Sequence, residues 1–374
     1  MPAEVFERVV QTAAQDHPPG GSIDGRSGRL TGKGVLGLLG TGGWRLFVDL
    51  LWRFVIRRPE VWSRSGVSYF TPSAERGQPA PVLPHQSVPD LKIDRRVVRS
   101  VLLEAHRDSI AYSAAFTGYS VTEHNVTAHF ADGTSAKGSL IVGADGVRST
   151  VAKQLIGPGA ALVDTGVRII YGKTVLTAEV EKALHPVLQN GTSFVIDRTP
   201  QGYKTVTVVE AIRFTHEDAP TNYIFWAFSA KKEAFEMSDV DLSAAQGDMA
   251  KEIVCRMTAS YESSLRVVFD RQSSTETAMI RVTSSNPQGP PAWETNSRVT
   301  VLGDAIHCMP PTGGAGGNTA LYDAALLGKL LGAEKQSGKS GWSRDVIHNY
   351  ERGMRYNVGD IVGLANLGLI RLLE

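Results

Sequence analysis

The segment from Arg298 to Leu331, RVTVLGDAIHCMPPTGGAGGNTALYDAALLGKLL, places an acidic residue and a glycine-rich loop between a short apolar run and a helical pattern. The run VTVL predicts a buried strand, and Gly303 and Asp304 would follow its carboxyl end. Ligands bind at that end of the strands in open α/β sheets. A carboxylate there can accept hydrogen bonds from the hydroxyl groups of a sugar or polyol.

The loop that follows has a composition that would let a flat ring lie against the backbone. Glycine has no Cβ to hold such a ring away. The helix, which we expect to open at Asn318, would direct free N–H groups and a partial positive charge at the ring, and this field favours an anionic ligand state. The residues placed to face a ligand are Pro310, Gly313, Gly314, Gly316, Gly317 and Asn318. The alternative is an ordinary strand, loop and helix that bind nothing.

The run from Leu140 to Ser149, LIVGADGVRS, repeats the order of an apolar strand followed by an acidic residue and glycine. By itself, an Asp-Gly pair after a strand is typical of a turn. Considered together with Asp304, Asp145 and Gly146 predict a second ligand-facing strand end in the same sheet.

The stretch from Gly32 to Gly37, GKGVLG, matches the G-x-G-x-x-G pattern of dinucleotide-binding turns. With glycine at 38 of 374 positions, three fixed glycines match by chance roughly 0.4 times in such a chain. The preceding residues form a polar, glycine-rich run without a buried strand, and the required context is therefore missing. We interpret the stretch as part of a surface loop that extends to about Gly43.

The elements that must position these motifs can be predicted from periodicity. Helical spacing covers residues 3–15, 44–56 and 95–106, whereas residues 66–89 look irregular. Alternation from Val126 onward, a turn at Asp132-Gly133 and the run 140–142 predict a hairpin that feeds a core strand. The middle block has strand-like runs at 169–172, 193–196, 205–209, 223–228 and 266–269, with a helical stretch at 242–260. The helix after the glycine loop should bury Leu321, Ala324, Ala325, Leu327 and Leu331.

Three segments together resemble a known family. LIVGADGVRSTV resembles the Asp-Gly motif, and GDAIHCMPPTGGAGGNTAL the Gly-Asp motif, of the FAD-dependent class A flavoprotein monooxygenases typified by p-hydroxybenzoate hydroxylase. The run from Ile93 to Leu102 is similar to that family's R-x-x-L-x-x-x-L helix. The resemblance implies that Asp304 binds the flavin ribityl chain and that the glycine loop with Asn318 faces the pyrimidine edge. It also implies that Asp145 supports cofactor and NAD(P)H contacts, and that Arg95 contacts the FAD phosphate or ribose.

The reaction that the resemblance implies is an oxygenation. NAD(P)H would reduce the FAD, dioxygen would give a flavin C4a-hydroperoxide, and one oxygen would pass to a small organic substrate, aromatic or polyketide- or terpenoid-like. The alternatives are another flavin-dependent oxidoreductase of this fold, or a cofactor-deficient remnant without activity. We assign no catalytic residue and no metal site, and we interpret His307 and Cys308 as packing or loop residues. Tyr171, Arg213, Tyr223 and Trp226 are candidates for substrate contact among which the sequence does not choose.

The chain departs from the family pattern in two places. The family begins with a βαβ unit whose first turn carries G-x-G-x-x-G and holds the FAD pyrophosphate, and we expect this sequence to begin after that unit. In the Asp-Gly motif, Ala152 stands where the family has arginine, and Lys153 follows it. We therefore hypothesise an N-terminally truncated monooxygenase with weak or absent flavin binding.

These motifs predict an α/β fold, with an FAD/NAD(P)-binding Rossmann-like domain that is incomplete at its N-terminus and an inserted, mostly antiparallel sheet domain that is α+β in character. The FAD-binding domain would comprise residues 1–165 and 282–345, and the substrate domain residues 166–281. Residues 346–374 would form a C-terminal helical segment.

The composition narrows the partners and the compartment. Lys plus Arg (39) nearly equals Asp plus Glu (38), so no overall field would recruit nucleic acid. Two cysteines and no secretory signal fit a reducing, cytoplasmic location. The amphipathic runs Gly34 to Ile56 and Val358 to Leu373 leave contact with a membrane surface open.

Overall fold

The computed structural model describes residues 13, 21–33, 93–104, 106–216, 219–338 and 341–374. The strands are β1 (Gly21–Asp24), β2 (Leu30–Lys33), β3 (Phe116–Val121), β4 (Val126–Phe130), β5 (Ser135–Gly138), β6 (Ile141–Gly143), β7 (Val163–Val175), β8 (Thr192–Arg198), β9 (Lys204–Ile212), β10 (Tyr223–Lys231), β11 (Ala278–Ser284) and β12 (Val299–Val301). The α-helices are α1 (Arg95–Glu104), α2 (Thr150–Ile156), α3 (Ala178–Ala183), α4 (Asp239–Ala244), α5 (Gly247–Met257), α6 (Ser263–Asp270), α7 (Asp304–His307), α8 (Gly316–Gln336) and α9 (Arg344–Leu373).

The largest sheet has seven strands in the order β11-β7-β10-β9-β8-β1-β2. All neighbours are antiparallel except β1 and β8. The strands predicted for 169–172, 193–196, 205–209 and 223–228 are confirmed, since these runs lie within β7, β8, β9 and β10 in turn. The sheet runs from residue 163 to 284 and also recruits residues 21–33, while the division into domains stays a prediction.

The hairpin of β1 and β2 corrects the expectation of a loop before residue 43. Ile23 is fully buried in this hairpin, and Gly28 turns with φ +64°. Each strand is only four residues long, and Ile23 in β1 is the one large apolar side chain of the hairpin whose burial is described. The apolar pattern was therefore too weak to predict a hairpin. Pairing with β8 supplies the missing stabilisation. Of the stretch GKGVLG, Gly32 and Lys33 end β2, and residues 34–37 lie outside the described residues.

The run 266–269 was predicted as a strand, and this prediction is wrong. It lies in α6, where Glu262 caps the N-terminus by accepting a hydrogen bond from Ser264 N. Leu265, Val268 and Phe269 are buried at helical spacing in the core that covers the sheet. A short apolar run of this kind is compatible with a helix or a strand, and packing against the sheet favours the helix here. The predicted helix over 242–260 is divided into α4 and α5.

The seven-stranded sheet has two different faces. Ile224, Trp226 and Phe228 of β10 point to the face that helices α3 to α6 cover. On the opposite face, which we call the second face, the end of α9 packs through Leu369 and Leu373. Helix α9 begins in another core, formed by β6, β12, α2, α8 and its own first turns, and therefore connects the two cores.

Several predictions fall on other parts of the chain. Helix α1 matches the predicted helix at 95–106, and β4, β5 and β6 match the predicted hairpin and core strand, with β3 as a third member of the hairpin sheet. The helices predicted for 3–15 and 44–56 and the irregular region 66–89 lie outside the described residues, apart from residue 13. Within the part of the chain that the structure describes, no helix combines the length and apolar character needed to cross a bilayer.

Candidate functional site

The two predicted strand ends lie side by side. Strands β6 and β12 are parallel, with Gly143 opposite Val301, and Leu302 N donates to Gly143 O over 2.9 Å. The Asp-Gly and Gly-Asp segments therefore leave the sheet at the same edge, as expected for a ligand site at the carboxyl ends of parallel strands.

The turn at Gly303 requires glycine, and it exposes Asp304. Gly303 has φ +60°, and a Cβ on it would lie 3.0 Å from the Cβ of Ala320 on α8. The backbone can thus approach α8 closely only because the side chain is absent. Asp304, the first residue of α7, is exposed, so its carboxylate is accessible to a ligand.

The glycine loop forms an open cradle in front of α8. Gly313 and Gly314 have φ +91° and +62°. Among the described residues, none comes within 4 Å of a Cβ built at Gly314 or Gly317, so these glycines leave space that the described part of the chain does not fill. Helix α8 begins at Gly316, two residues before the predicted start, and its N-cap residue Ala315 provides no side-chain hydrogen bond. The first-turn amides are therefore free to face a ligand, and the cradle fits a flat, anionic ring such as a reduced flavin. Pro310 is buried at the start of the loop, and Asn318 is exposed in the first turn.

Asp145 binds its own helix in this structure. Its Oδ1 accepts from Ser149 Oγ over 2.5 Å and its Oδ2 from Thr150 N over 2.7 Å. Both oxygens therefore stabilise the start of α2. Gly146, with φ +74°, makes the turn that allows this contact. The cofactor role implied for Asp145 stays a prediction, and the geometry supports a structural role beside it.

Arg95 opens α1 and is exposed, whereas its neighbour Asp94 is buried. Asp94 accepts from Lys173 Nζ and Tyr223 Oη, each over 2.9 Å. These contacts fix the first turn of α1 on the second face of the large sheet, and Arg95 is presented beside them. Sequence reasoning missed Asp94, although an Asp immediately before a helix is a recognisable N-cap signal.

His307 has a partner that the sequence did not reveal. Its Nε2 lies 2.5 Å from Asp323 Oδ2, and both side chains are fully buried. The burial of Asp323 corrects the predicted stripe of α8. Leu327 is buried and Leu331 half-buried as predicted, whereas Leu321 is 55% exposed and Ala324 and Ala325 are exposed. Leu326 is buried in their place, because the helix turns the Asp323 side inward.

Cys308 is a packing residue, as interpreted. Its Sγ contacts Thr283 O over 3.5 Å. Burial, with a smaller contribution from Asp304, raises the pKa of the Cys308 thiol to about 11. A thiol with such a pKa is a weak nucleophile at neutral pH.

A cavity of about 300 Å³ adjoins the Asp-Gly segment. Arg148 and Lys153 line it together with Pro158 and Ala305. Ala152, which stands at the position of the family's arginine, also lines it. The small side chain contributes to this space.

The second face of the large sheet carries a half-buried area, which we call the wall. Cross-strand pairing places Tyr171 beside Ala227, and Lys173 beside Phe225. The wall consists of Tyr171, Lys173, Val208, Glu210, Phe225 and Ala227. It lies between Asp94 at one end and the last turns of α9 at the other.

The four candidates for substrate contact separate in the structure. Tyr171 and Tyr223 lie on the second face of the sheet. Trp226 is fully buried on the opposite face against Phe269, which removes it from the candidates. Arg213 binds Glu181 over 2.5 Å.

Comparison with known proteins gives three findings. The profile of a family described as "FAD binding domain" matches residues 97–353. The chain is 34% identical over 278 residues to the dual O-methyltransferase/FAD-dependent monooxygenase elcB of Phaeosphaeria nodorum, covering 66% of this chain and 29% of the relative. It is 36% identical over 263 residues to the dual O-methyltransferase/FAD-dependent monooxygenase CTB3 of Cercospora beticola, covering 64% and 30%. The chain thus spans less than a third of these relatives.

Two solved structures share the fold. One is an FAD-containing monooxygenase from Photorhabdus luminescens, with a TM-score of 0.64, 25% identity and coverage of 76% of this chain and 74% of the other. The other is HpxO of Klebsiella pneumoniae complexed with FAD and uric acid, with a TM-score of 0.63, 17% identity and coverage of 98% and 74%.

Proposed function

Because this chain belongs to the FAD-binding family of flavoprotein monooxygenases, we propose that it uses FAD to insert one atom of dioxygen into a small organic substrate. NAD(P)H is the electron donor in this proposal. The balanced reaction converts substrate C–H, O₂, NAD(P)H and H⁺ into C–OH, NAD(P)⁺ and water. FAD, when bound, supplies the redox and oxygen chemistry, and the protein supplies binding, orientation and exclusion of water.

One observation carries the proposal: the exposed Asp304 and the open glycine cradle flank the same strand end. Asp304 would accept hydrogen bonds from the ribityl hydroxyls. The free amides at the start of α8 would hold the pyrimidine edge and favour the anionic reduced state. Arg95 would meet the phosphate or ribose of the same cofactor.

The wall supports an aromatic substrate. It presents the rings of Tyr171 and Phe225 beside the aliphatic Val208 and Ala227, a surface on which a flat, electron-rich molecule packs well. The fungal relatives combine the monooxygenase with an O-methyltransferase in one chain, and O-methyltransferases act on hydroxyl groups. We therefore propose a hydroxylated or methoxylated arene of polyketide type as the substrate.

The experiment is a flavin titration followed by turnover. The purified chain should quench FAD fluorescence at a stoichiometry of one, a result that would contradict the weak or absent flavin binding hypothesised from the sequence. It should also oxidise NAD(P)H in the presence of phenolic arenes and carry ¹⁸O from ¹⁸O₂ into the product. Asp304→Ala should lose most of the FAD binding, whereas Asp248→Asn, an exposed change on α5 at the other face of the sheet, should bind like the wild type. NAD(P)H oxidation that yields only hydrogen peroxide across the arene panel would contradict the oxygenase assignment, and absence of saturable flavin binding would contradict the cofactor assignment.

A further inference from the structure

A single carboxylate oxygen joins the Gly303 turn to α8. Asp323 Oδ2 accepts from Gly303 N over 3.1 Å and lies 2.5 Å from His307 Nε2. His307 N also donates to Gly303 O over 3.0 Å. The short helix α7, which carries Asp304, is therefore held at both of its ends by the same atom of α8.

His307 and Asp323 are both completely buried. The side chains of His307 and Asp323 have 0% exposure. Among the described residues, no hydrogen-bond partner reaches His307 Nδ1 or Asp323 Oδ1. The pair is thus bound only through the Oδ2 contact, and removing Asp323 would leave the Gly303 N–H buried and unpaired.

Asp323 lies on the helix whose N-terminus forms the cradle. It follows Gly316 by seven residues, about two turns along α8. The contact of Gly303 with Ala320 lies on the same side of the helix. The position of Asp304 relative to the first-turn amides of α8 consequently depends on the bonds of Asp323 and on the contact between Gly303 and Ala320.

We infer that Asp323 and His307 are positioning residues for the flavin, which hold the Asp304 carboxylate and the α8 N-terminus in one fixed arrangement. This inference rests on the proposed binding of FAD. Apolar residues would pack α8 at a lower desolvation cost than a buried carboxylate. The carboxylate adds two directed bonds to the Gly303–His307 segment, which an apolar side chain does not provide.

Three variants test the inference, with one matched control. Asp323→Leu removes both bonds and should weaken FAD binding about 10- to 100-fold, because it leaves a buried donor unsatisfied. It should also shift the visible absorption band of the bound flavin. Asp323→Asn should stay within about threefold of the wild type, since its amide oxygen, placed where Asp323 Oδ2 lies, can accept from both Gly303 N and His307 Nε2. Ile347→Ala truncates a fully buried residue of α9 in the same core, outside the segment 303–307 and without a hydrogen-bonding side chain, and it should lower the melting temperature but keep the flavin affinity and spectrum.

His307→Leu keeps the Gly303 contact and should give an intermediate loss, which provides the test if Asp323→Leu does not fold. Hydrogen exchange of the apoprotein adds a measurement without flavin: the amides of the segment 303–307 should lose protection in Asp323→Leu and His307→Leu, and keep it in Ile347→Ala. Wild-type flavin affinity in a folded Asp323→Leu protein would overturn the inference. The inference would also be overturned if Ile347→Ala lost as much flavin affinity as Asp323→Leu for the same fall in melting temperature. If the wild type binds no flavin, the proposed function fails, and the exchange experiment still decides whether the pair holds the turn.

Discussion

The carboxylate of Asp94 and the ammonium of Lys173 lie 2.9 Å apart and join α1 to the second face of the large sheet. Asp94 also accepts from Arg96 N over 2.9 Å, so one side chain caps the helix and binds the sheet. Burial raises the pKa of Asp94, but the hydrogen bonds from Lys173 and Tyr223 outweigh burial and hold it below its usual value. Arg95, the predicted phosphate contact, is placed by this arrangement.

Asp94→Asn should lower the free energy of unfolding by about 1–3 kcal/mol, because a buried, charge-assisted contact is lost. Since the pKa of Asp94 is lowered in the folded protein, its contribution is complete above the unfolded value near pH 4 and is lost as the pH falls below it. Denaturant unfolding at pH 7 measures the loss. Asp108→Asn, which changes an exposed residue at the end of the same region, should leave stability within about 0.5 kcal/mol; an equal loss there would contradict the prediction.

The ion pair between the buried Arg168 and Asp164 should be a second contact that is lost in acid. Arg168 is fully buried and donates to Asp164 over 2.8 Å and to Asp239 over 2.7 Å. The bond from Arg168 to Asp164 is the main cause that lowers the pKa of Asp164 to about 2. Asp164→Asn should cost about 1–3 kcal/mol at pH 7, reduced where solvent screens the half-exposed carboxylate.

The stability difference between wild type and Asp164→Asn should be full above about pH 4 and vanish as the pH falls toward 2. Unfolding curves over that range measure it. The chain offers a control with the same spacing: Arg266 and Asp270 form an exposed pair, and Asp270→Asn should change stability by about 0.5 kcal/mol or less. A difference that persists unchanged at pH 2 would show that the pair is not the cause.

The cradle predicts an opposite effect of one methyl group on the apoprotein and on the complex. A Cβ at Gly317 meets nothing within 4 Å, and alanine is better in a helix than glycine by about 1 kcal/mol. Gly317→Ala should therefore keep or raise the stability of the apoprotein, yet weaken FAD binding about tenfold. Gly328→Ala, an equally open position further along α8, should raise stability without affecting FAD. Unchanged flavin affinity in Gly317→Ala would place the ring elsewhere.

Asp304 and Asp145, the two acidic residues at the strand ends, should have different roles: Asp304 in FAD binding and Asp145 in stability. Asp304→Ala should weaken FAD binding about 10- to 100-fold, since bonds to a charged group are lost, with little change in the apoprotein. Asp145→Ala should lower stability by about 0.5–2 kcal/mol, because Thr150 N and the Ser149 hydroxyl at the start of α2 lose their acceptor. Fluorescence titration and thermal unfolding of both variants measure the contrast, and the reverse pattern would contradict it.

The sequence by itself determined the parts that depend on local pattern. Short runs rich in β-branched and aromatic residues marked four strands of the large sheet, and the strand, acid and glycine loop around Asp304 indicated a flavin site. These signals are readable because neighbouring residues along the chain create them.

Only the tertiary structure decided the pairings between distant residues. Asp323 is a polar residue in a helical pattern, and the predicted apolar stripe of α8 did not include it, although its side chain is buried beside Leu326 and Leu327. Its burial follows from contact with Gly303 and His307, which are close in space but far along the chain. The hairpin around Ile23 and the helix around Val268 were decided in the same way, because the adjoining sheet stabilises elements whose own patterns are short or ambiguous.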